Sequence, residues 1–66
     1  MMKITVNGVQ ETTDAGSIAE FLKEKGLSGD GAVVEHNYQI VKKDSWATAG
    51  LSENDNLEIL SFVGGG

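Results

Sequence analysis

A chain of 66 residues, 39% apolar and without cysteine, carrying ten acids against five lysines for a net charge of −5, is restricted in what it can be. It forms one small domain with a thin core and no room for a deep catalytic cleft. Disulfides, side-chain thiol chemistry and a zinc site resting on one histidine are excluded, and an acidic surface with no arginine is a poor match for nucleic acid.

No apolar run approaches the roughly 20 residues that cross a membrane. Met1-Met2-Lys3-Ile4 lacks the apolar stretch of a signal peptide, so the cytoplasm is the expected location. The negative charge favours solubility and steering toward a basic partner.

Met2-Lys3-Ile4-Thr5-Val6 alternates apolar and polar, which predicts a half-buried strand with Met2, Ile4 and Val6 inward. Asn7-Gly8 is a type I′ hairpin signal, and Val9-Gln10-Glu11-Thr12 returns as an antiparallel strand. Ser17-Ile18-Ala19-Glu20 reads as a capping box, with Ser17 on the helix N-terminus and Glu20 reaching back. Ile18, Phe21 and Leu22 form one apolar stripe, while Glu20 and Lys23 are spaced to pair on the opposite side. Gly26 ends this helix of about ten residues in a left-handed conformation, and Leu27 packs back on the last turn.

Ser28-Gly29-Asp30-Gly31 is a loop by composition. Ala32-Val33-Val34-Glu35 predicts a third strand, His36-Asn37-Tyr38-Gln39 a tight turn with Asn37 at positive φ, and Ile40-Val41-Lys42 a fourth strand. Residues 43–53 read as a polar loop holding a short helical turn, with Trp46 and Leu51 as apolar anchors, and Asn54-Asp55-Asn56 as a turn. Leu57-Glu58-Ile59-Leu60-Ser61-Phe62-Val63 is the last strand, with Leu57, Ile59 and Ser61 on one face and Glu58, Leu60 and Phe62 on the other. One helix covers only one face of a sheet. Leu60 and Phe62 therefore lie on the open face, where adjacent apolar side chains mark an interaction site; a twist that turns Phe62 inward is the other reading. The expected architecture is α+β: a mixed sheet of four to five strands, the first and last pairing in parallel at its centre, with one main helix packed across one face.

The chain ends in Val63-Gly64-Gly65-Gly66. Glycine has no Cβ, so such a tail passes through a narrow tunnel and is approached from every side. The Gly66 carboxylate is the one reactive group it offers. A frayed end is the competing reading.

The order of these elements, the size and the glycine end resemble the ubiquitin-like β-grasp family and, within it, the ThiS/MoaD family of sulfur carriers on the thiamin side. The resemblance spans essentially the whole chain: Ile4-Thr5-Val6-Asn7-Gly8, then Val34-Glu35-His36-Asn37-Tyr38-Gln39-Ile40-Val41, then Trp46, Leu51 and Asp55-Asn56-Leu57-Glu58-Ile59-Leu60, and finally Phe62-Val63-Gly64-Gly65-Gly66. Asn54-Asp55 stands where many relatives have Gly-Asp. The small subunit of molybdopterin synthase shares the fold and the Gly-Gly end but is usually longer.

The resemblance implies a β-grasp domain over residues 1–62 and a flexible tail over residues 63–66. It implies a carrier and not an enzyme, with no stably bound cofactor. An E1-like adenylating enzyme of the ThiF type would use ATP to join AMP to Gly66. A sulfur donor would convert the adenylate to a thiocarboxylate, and a thiazole synthase of the ThiG type would take the sulfur into the thiazole of thiamin. Val63, Gly64 and Gly65 would enter the partner's active site while Leu60 and Phe62 dock on its surface. A monomer when free is expected, with no metal, nucleic acid or membrane involved. The competing readings are a carrier for molybdopterin or another metabolite, a ubiquitin-like modifier conjugated through Gly66, and a binding module with an inert tail.

Other residues invite a site and carry less. His36 has no nucleophile pattern near it and reads as an exposed turn residue. Glu11, Asp14, Asp30, Asp44, Glu53 and Asp55 do not match a calcium-loop spacing and read as turn and cap residues. Lys42-Lys43 is too short for nucleic acid. Trp46 reads as a lid on one end of the core.

Overall fold

The computed structural model describes residues 1–27 and 31–61. Strand β1 (Met2–Val6) turns through Asn7 at φ 50° and Gly8 at φ 84° into β2 (Val9–Thr13). Both central residues sit at positive φ, as a type I′ turn requires, and the register runs from Val6↔Val9 to Met2↔Thr13. Thr13 joins this hairpin to the helix. Its Oγ1 accepts from the Ala15 N–H at 3.0 Å and donates to Glu24 Oε1 at 2.9 Å.

Helix α1 (Ile18–Glu24) starts at Ser17, whose Oγ accepts from the Glu20 N–H at 3.2 Å. The Glu20 carboxylate reaches one residue further back than a capping box predicts, accepting from the Gly16 N–H at 2.7 Å. Residues on either side of Ser17 bridge to the segment around Gly50, the Ile18 N–H donating to the Ala49 carbonyl and the Leu51 N–H to that of Gly16. With its carboxylate held at Gly16, Glu20 makes no pair with Lys23. The helix has seven residues, fewer than the spacing predicts, because Ser17 and Lys25 are caps. Gly26, at φ 75°, donates to the Lys23 carbonyl, and Leu27 donates to that of Leu22 at 2.8 Å. This is the glycine-stopped Schellman end read from the sequence.

Strand β3 (Ala32–His36) and β4 (Gln39–Val41) form a second hairpin, with Asn37 at φ 52° and Tyr38 at φ 72°. His36 is thus the last residue of a strand, paired with Leu57 and Gln39, and not an exposed turn residue. A single 3-10 turn (Lys43–Ser45) precedes Trp46, and β5 (Asn56–Ser61) closes the chain's described part. The sheet has five strands in the order β2-β1-β5-β3-β4. β5 is parallel to β1 and antiparallel to β3. This is the mixed sheet with one helix of a β-grasp.

The core lies between α1 and one face of the sheet. Ile18, Phe21 and Leu22 are fully buried against Ile4, Val6, Val34, Leu57 and Ile59, each such side chain contributing about 1.5–3 kcal/mol of burial free energy. Trp46 closes one end at 5% exposure, its Nε1–H donating to the Val41 carbonyl at 2.9 Å. Among the described residues no helix is long and apolar enough to cross a membrane.

Candidate functional site

The strand that leads to the glycine run is held by side-chain hydrogen bonds at its start and at Ile59, besides its ladder bonds. At its root, Asn54 takes φ 70°, a left-handed conformation that asparagine tolerates better than most residues. The turn is therefore made without a glycine. Asn54 N–H donates to the Lys3 carbonyl at 2.7 Å, and Thr5 N–H donates to the Asp55 carbonyl at 2.9 Å.

Asp55 is buried and collects three partners. Its Oδ2 accepts from the Ser52 N–H at 2.8 Å and lies 2.7 Å from His36 Nε2, while Oδ1 accepts from Asn37 Nδ2 at 3.1 Å. Asn37 Oδ1 in turn accepts from the Asn56 N–H at 2.8 Å. Burial works to raise the Asp55 pKa, but the bonds from His36, Ser52 and Asn37, together with the His36 charge, outweigh it and hold the carboxyl below its ordinary value. Ser52 contributes its backbone N–H, so the group is a clamp between the β3–β4 turn and the start of β5 and not a Ser-His-Asp relay. Sequence reasoning placed Asp55 in a turn and missed this role.

Further along, the Asn7 side chain substitutes for a missing strand. The parallel β1–β5 ladder runs only through Thr5↔Asn56 and Val6↔Leu57. Beyond it, Asn7 Oδ1 accepts from the Ile59 N–H at 2.7 Å and Nδ2 donates to the Ile59 carbonyl at 3.2 Å. Leu57 and Ile59 point into the core, and Glu58 and Leu60 point out.

Leu60, expected on the open face, is there at 62% exposure and pairs with Val33 at 40%. Ile40, at 68% exposure, pairs with Glu35 on the same face. Asn7, Val33, Glu35, Glu58 and Leu60 line a shallow depression there. Val33 and Ile40 were not singled out from the sequence. The Val33-Val34 doublet carried the signal, since successive strand residues face opposite ways and one valine had to point outward. Phe62, the second predicted docking residue, and Val63, Gly64, Gly65 and Gly66 lie outside the described residues.

This arrangement is a platform: a clamped central strand, an apolar open face beside it, and a glycine run following in sequence. It matches known proteins over its whole length. The chain is 38% identical over 66 residues to a thiazole synthase of Paramagnetospirillum magneticum, covering 98% of this chain and 20% of that protein, so it spans about a fifth of that relative. It is 32% identical to the "Sulfur carrier protein ThiS" of Bacillus subtilis, covering all of both chains. The crystal structure of the thiamine biosynthesis protein ThiS of Geobacter metallireducens superposes with a TM-score of 0.81 at 28% identity, covering 98% of this chain and 100% of that one. Residues 3–66 match the ThiS family, and the chain belongs to that family, with its ubiquitin-like β-grasp fold.

Proposed function

We propose that this chain is the sulfur carrier of thiamin biosynthesis, a protein co-substrate whose Gly66 carboxylate is the reacting group. The observation that carries the reading is the firmly held β5 followed by Phe62-Val63-Gly64-Gly65-Gly66, in a chain that aligns end to end with a Bacillus subtilis sulfur carrier.

The chemistry follows from the terminus. A free α-carboxylate has a pKa near 3.5, is ionised at neutral pH and is a poor electrophile. In the adenylating partner, a carboxylate oxygen attacks the α-phosphorus of ATP, and pyrophosphate leaves. The acyl-adenylate then has a good leaving group. A sulfur donor attacks the carbonyl carbon, AMP departs with the carboxylate-derived oxygen, and a thiocarboxylate remains on Gly66. A thiazole synthase draws that sulfur into its product. The relative of Paramagnetospirillum magneticum supports this partner, because one polypeptide there contains both a stretch like this chain and the length of a thiazole synthase.

Four residues, 63–66, reach roughly 13 Å when extended, so the end enters a buried site while the folded body stays outside. Ordering each costs about 1–2 kcal/mol, which docking of the open face through Leu60 and Phe62 offsets. The carrier works in the cytoplasm, beside the ATP and sulfur donor it needs.

The test is the intact mass of the protein after incubation with ATP, a sulfide source and the E1-like adenylating enzyme of the same organism. A gain equal to the exchange of one oxygen for sulfur, located on Gly66 and abolished by an added C-terminal alanine, is the expected result. No gain with an enzyme competent on another carrier overturns the reading, and isopeptide-linked conjugates in cells would replace it with a modifier.

A further inference from the structure

Asparagine followed by glycine is a reactive pair as well as a turn signal. The side-chain amide carbon of an asparagine closes a five-membered ring when it meets the backbone nitrogen of the next residue. Glycine has no Cβ and leaves that nitrogen open to approach. The asparagines of this chain, at 7, 37, 54 and 56, precede Gly8, Tyr38, Asp55 and Leu57. Only at Asn7 is the following nitrogen unshielded by a side chain.

The fold exposes this pair and restrains it. Gly8 lies beyond the last β1–β2 pair, Val6↔Val9, so the ladder does not occupy its nitrogen. The space where a Cβ would stand at Gly8 holds no atom within 4 Å, and both Asn7 and Gly8 are exposed to water. The restraint is β5. Asn7 Oδ1 accepts from the Ile59 N–H at 2.7 Å and Nδ2 donates to the Ile59 carbonyl at 3.2 Å. Ring closure brings Cγ to bonding distance of the Gly8 nitrogen and takes the carboxamide off Ile59, at the cost of both bonds.

We propose that Asn7-Gly8 is a self-modification site, with water as its co-reactant, which β5 guards while Asn7 grips Ile59 and which loosens β5 once converted. The Gly8 nitrogen attacks Asn7 Cγ. The N–Cγ bond forms, the Cγ–Nδ2 bond breaks, and the Gly8 amide proton leaves on Nδ2 as ammonia. Water then opens the cyclic imide. Cleavage at Cγ yields aspartate, and cleavage at the Asn7 backbone carbonyl yields isoaspartate, whose main chain runs through Cβ and Cγ. Nothing is oxidised or reduced, and the net change is an amino group exchanged for a hydroxyl.

Either product breaks the grip. A carboxylate has no N–H for the Ile59 carbonyl, so oxygen meets oxygen where Nδ2 donated. The new charge also joins Glu35 and Glu58, which line the same shallow depression as Asn7, and like charges brought together on a sheet are destabilising. Isoaspartate in addition lengthens a two-residue loop whose type I′ geometry sets the hairpin register.

The experiment follows intact mass and a peptide map of the whole protein during incubation in neutral buffer, folded and in guanidinium chloride. In denaturant the expected result is conversion of Asn7 to aspartate and isoaspartate, with Asn37, Asn54 and Asn56 unchanged. In the folded protein the same conversion runs at least about tenfold slower, because two net hydrogen bonds are given up first. Equal rates in the two states would overturn the guard, and an Asn7 that stays intact in denaturant would overturn the site. The consequence is read by amide exchange on the purified converted protein and, separately, on Asn7→Asp. In both, the Ile59 N–H should exchange about tenfold faster than in wild type, beyond any change at Leu22. An Ile59 amide as protected as in wild type would overturn the loosening.

Discussion

The carboxamide of Asn7 grips Ile59 by both its backbone groups, accepting from the N–H at 2.7 Å and donating to the carbonyl at 3.2 Å. An ordinary hairpin asparagine serves its own turn. This one, at φ 50°, also extends the β1–β5 ladder by one pair where β1 has turned away. It thereby holds β5 at Ile59 on the side where β1 no longer pairs with it.

Asn7→Gly separates the two roles. Glycine keeps the positive φ and loses the clamp. Two net hydrogen bonds correspond to about 1–3 kcal/mol, which urea unfolding should show as an earlier midpoint. Amide exchange is the sharper readout: the Ile59 N–H should exchange much faster in the variant while that of Leu22 in α1 changes only with global stability. An Ile59 amide as protected as before would show that the Asn7 side chain does not hold β5.

The Asp55 clamp makes a prediction about acid. Its carboxyl pKa is lowered in the folded protein, so the folded state favours the ionised form. That contribution is complete above the unfolded carboxyl pKa of about 3.9 and is lost as pH falls through the lower folded value. Asp55→Asn should cost about 1–3 kcal/mol at pH 7, from weakened bonds to His36, Ser52 and Asn37. The gap to wild type should narrow as pH drops below about 4. Urea unfolding at a series of pH values measures both, and a gap independent of pH would show that the carboxylate charge does not contribute.

Local signals made most of this fold readable. Met2-Lys3-Ile4-Thr5-Val6, Asn7-Gly8, Ser17, the Ile18–Phe21–Leu22 stripe and Gly26 each act within a few residues, and each stands where the pattern placed it. The face assignment of Leu60 followed from strand alternation alone. Long-range side-chain bonds were not readable. His36 looked like a turn residue because its partner, Asp55, lies 19 positions away, and no periodicity encodes that distance. Asn7 and Ile59 are 52 apart. Glu20 followed the capping pattern in type but not in target, its carboxylate accepting from the Gly16 N–H and not from that of Ser17.

Tyr38 sits at φ 72° with 78% of its surface exposed. A bulky side chain in the left-handed region is strained by about 1–2 kcal/mol, and so exposed a ring recovers little of that through packing. Tyr38→Gly should leave the β3–β4 register unchanged. Relief of strain exceeds the added freedom of the unfolded chain, so the midpoint of urea unfolding should rise slightly, by up to about 1 kcal/mol. A clear loss of stability would mean that the ring packs on the open face more than its exposure allows.

Leu60 separates docking from folding. It is largely exposed while its neighbour Ile59 is buried, so the two residues form an internal control on one strand. Leu60→Asp removes exposed apolar area and adds charge outside the core, and surface changes of this kind stay within about 0.5 kcal/mol. Ile59→Ala opens a cavity in the core at a cost of about 2–5 kcal/mol. Melting should therefore be nearly unchanged in the first variant and sharply lowered in the second. Thiocarboxylate formation at a temperature where both stay folded should reverse that order. Leu60→Asp raises the KM of the adenylating enzyme for the carrier by about tenfold, close to 1.4 kcal/mol of docking. Ile59→Ala changes it little. If Leu60→Asp is adenylated as efficiently as wild type, the open face is not the docking surface, and the tail alone provides recognition.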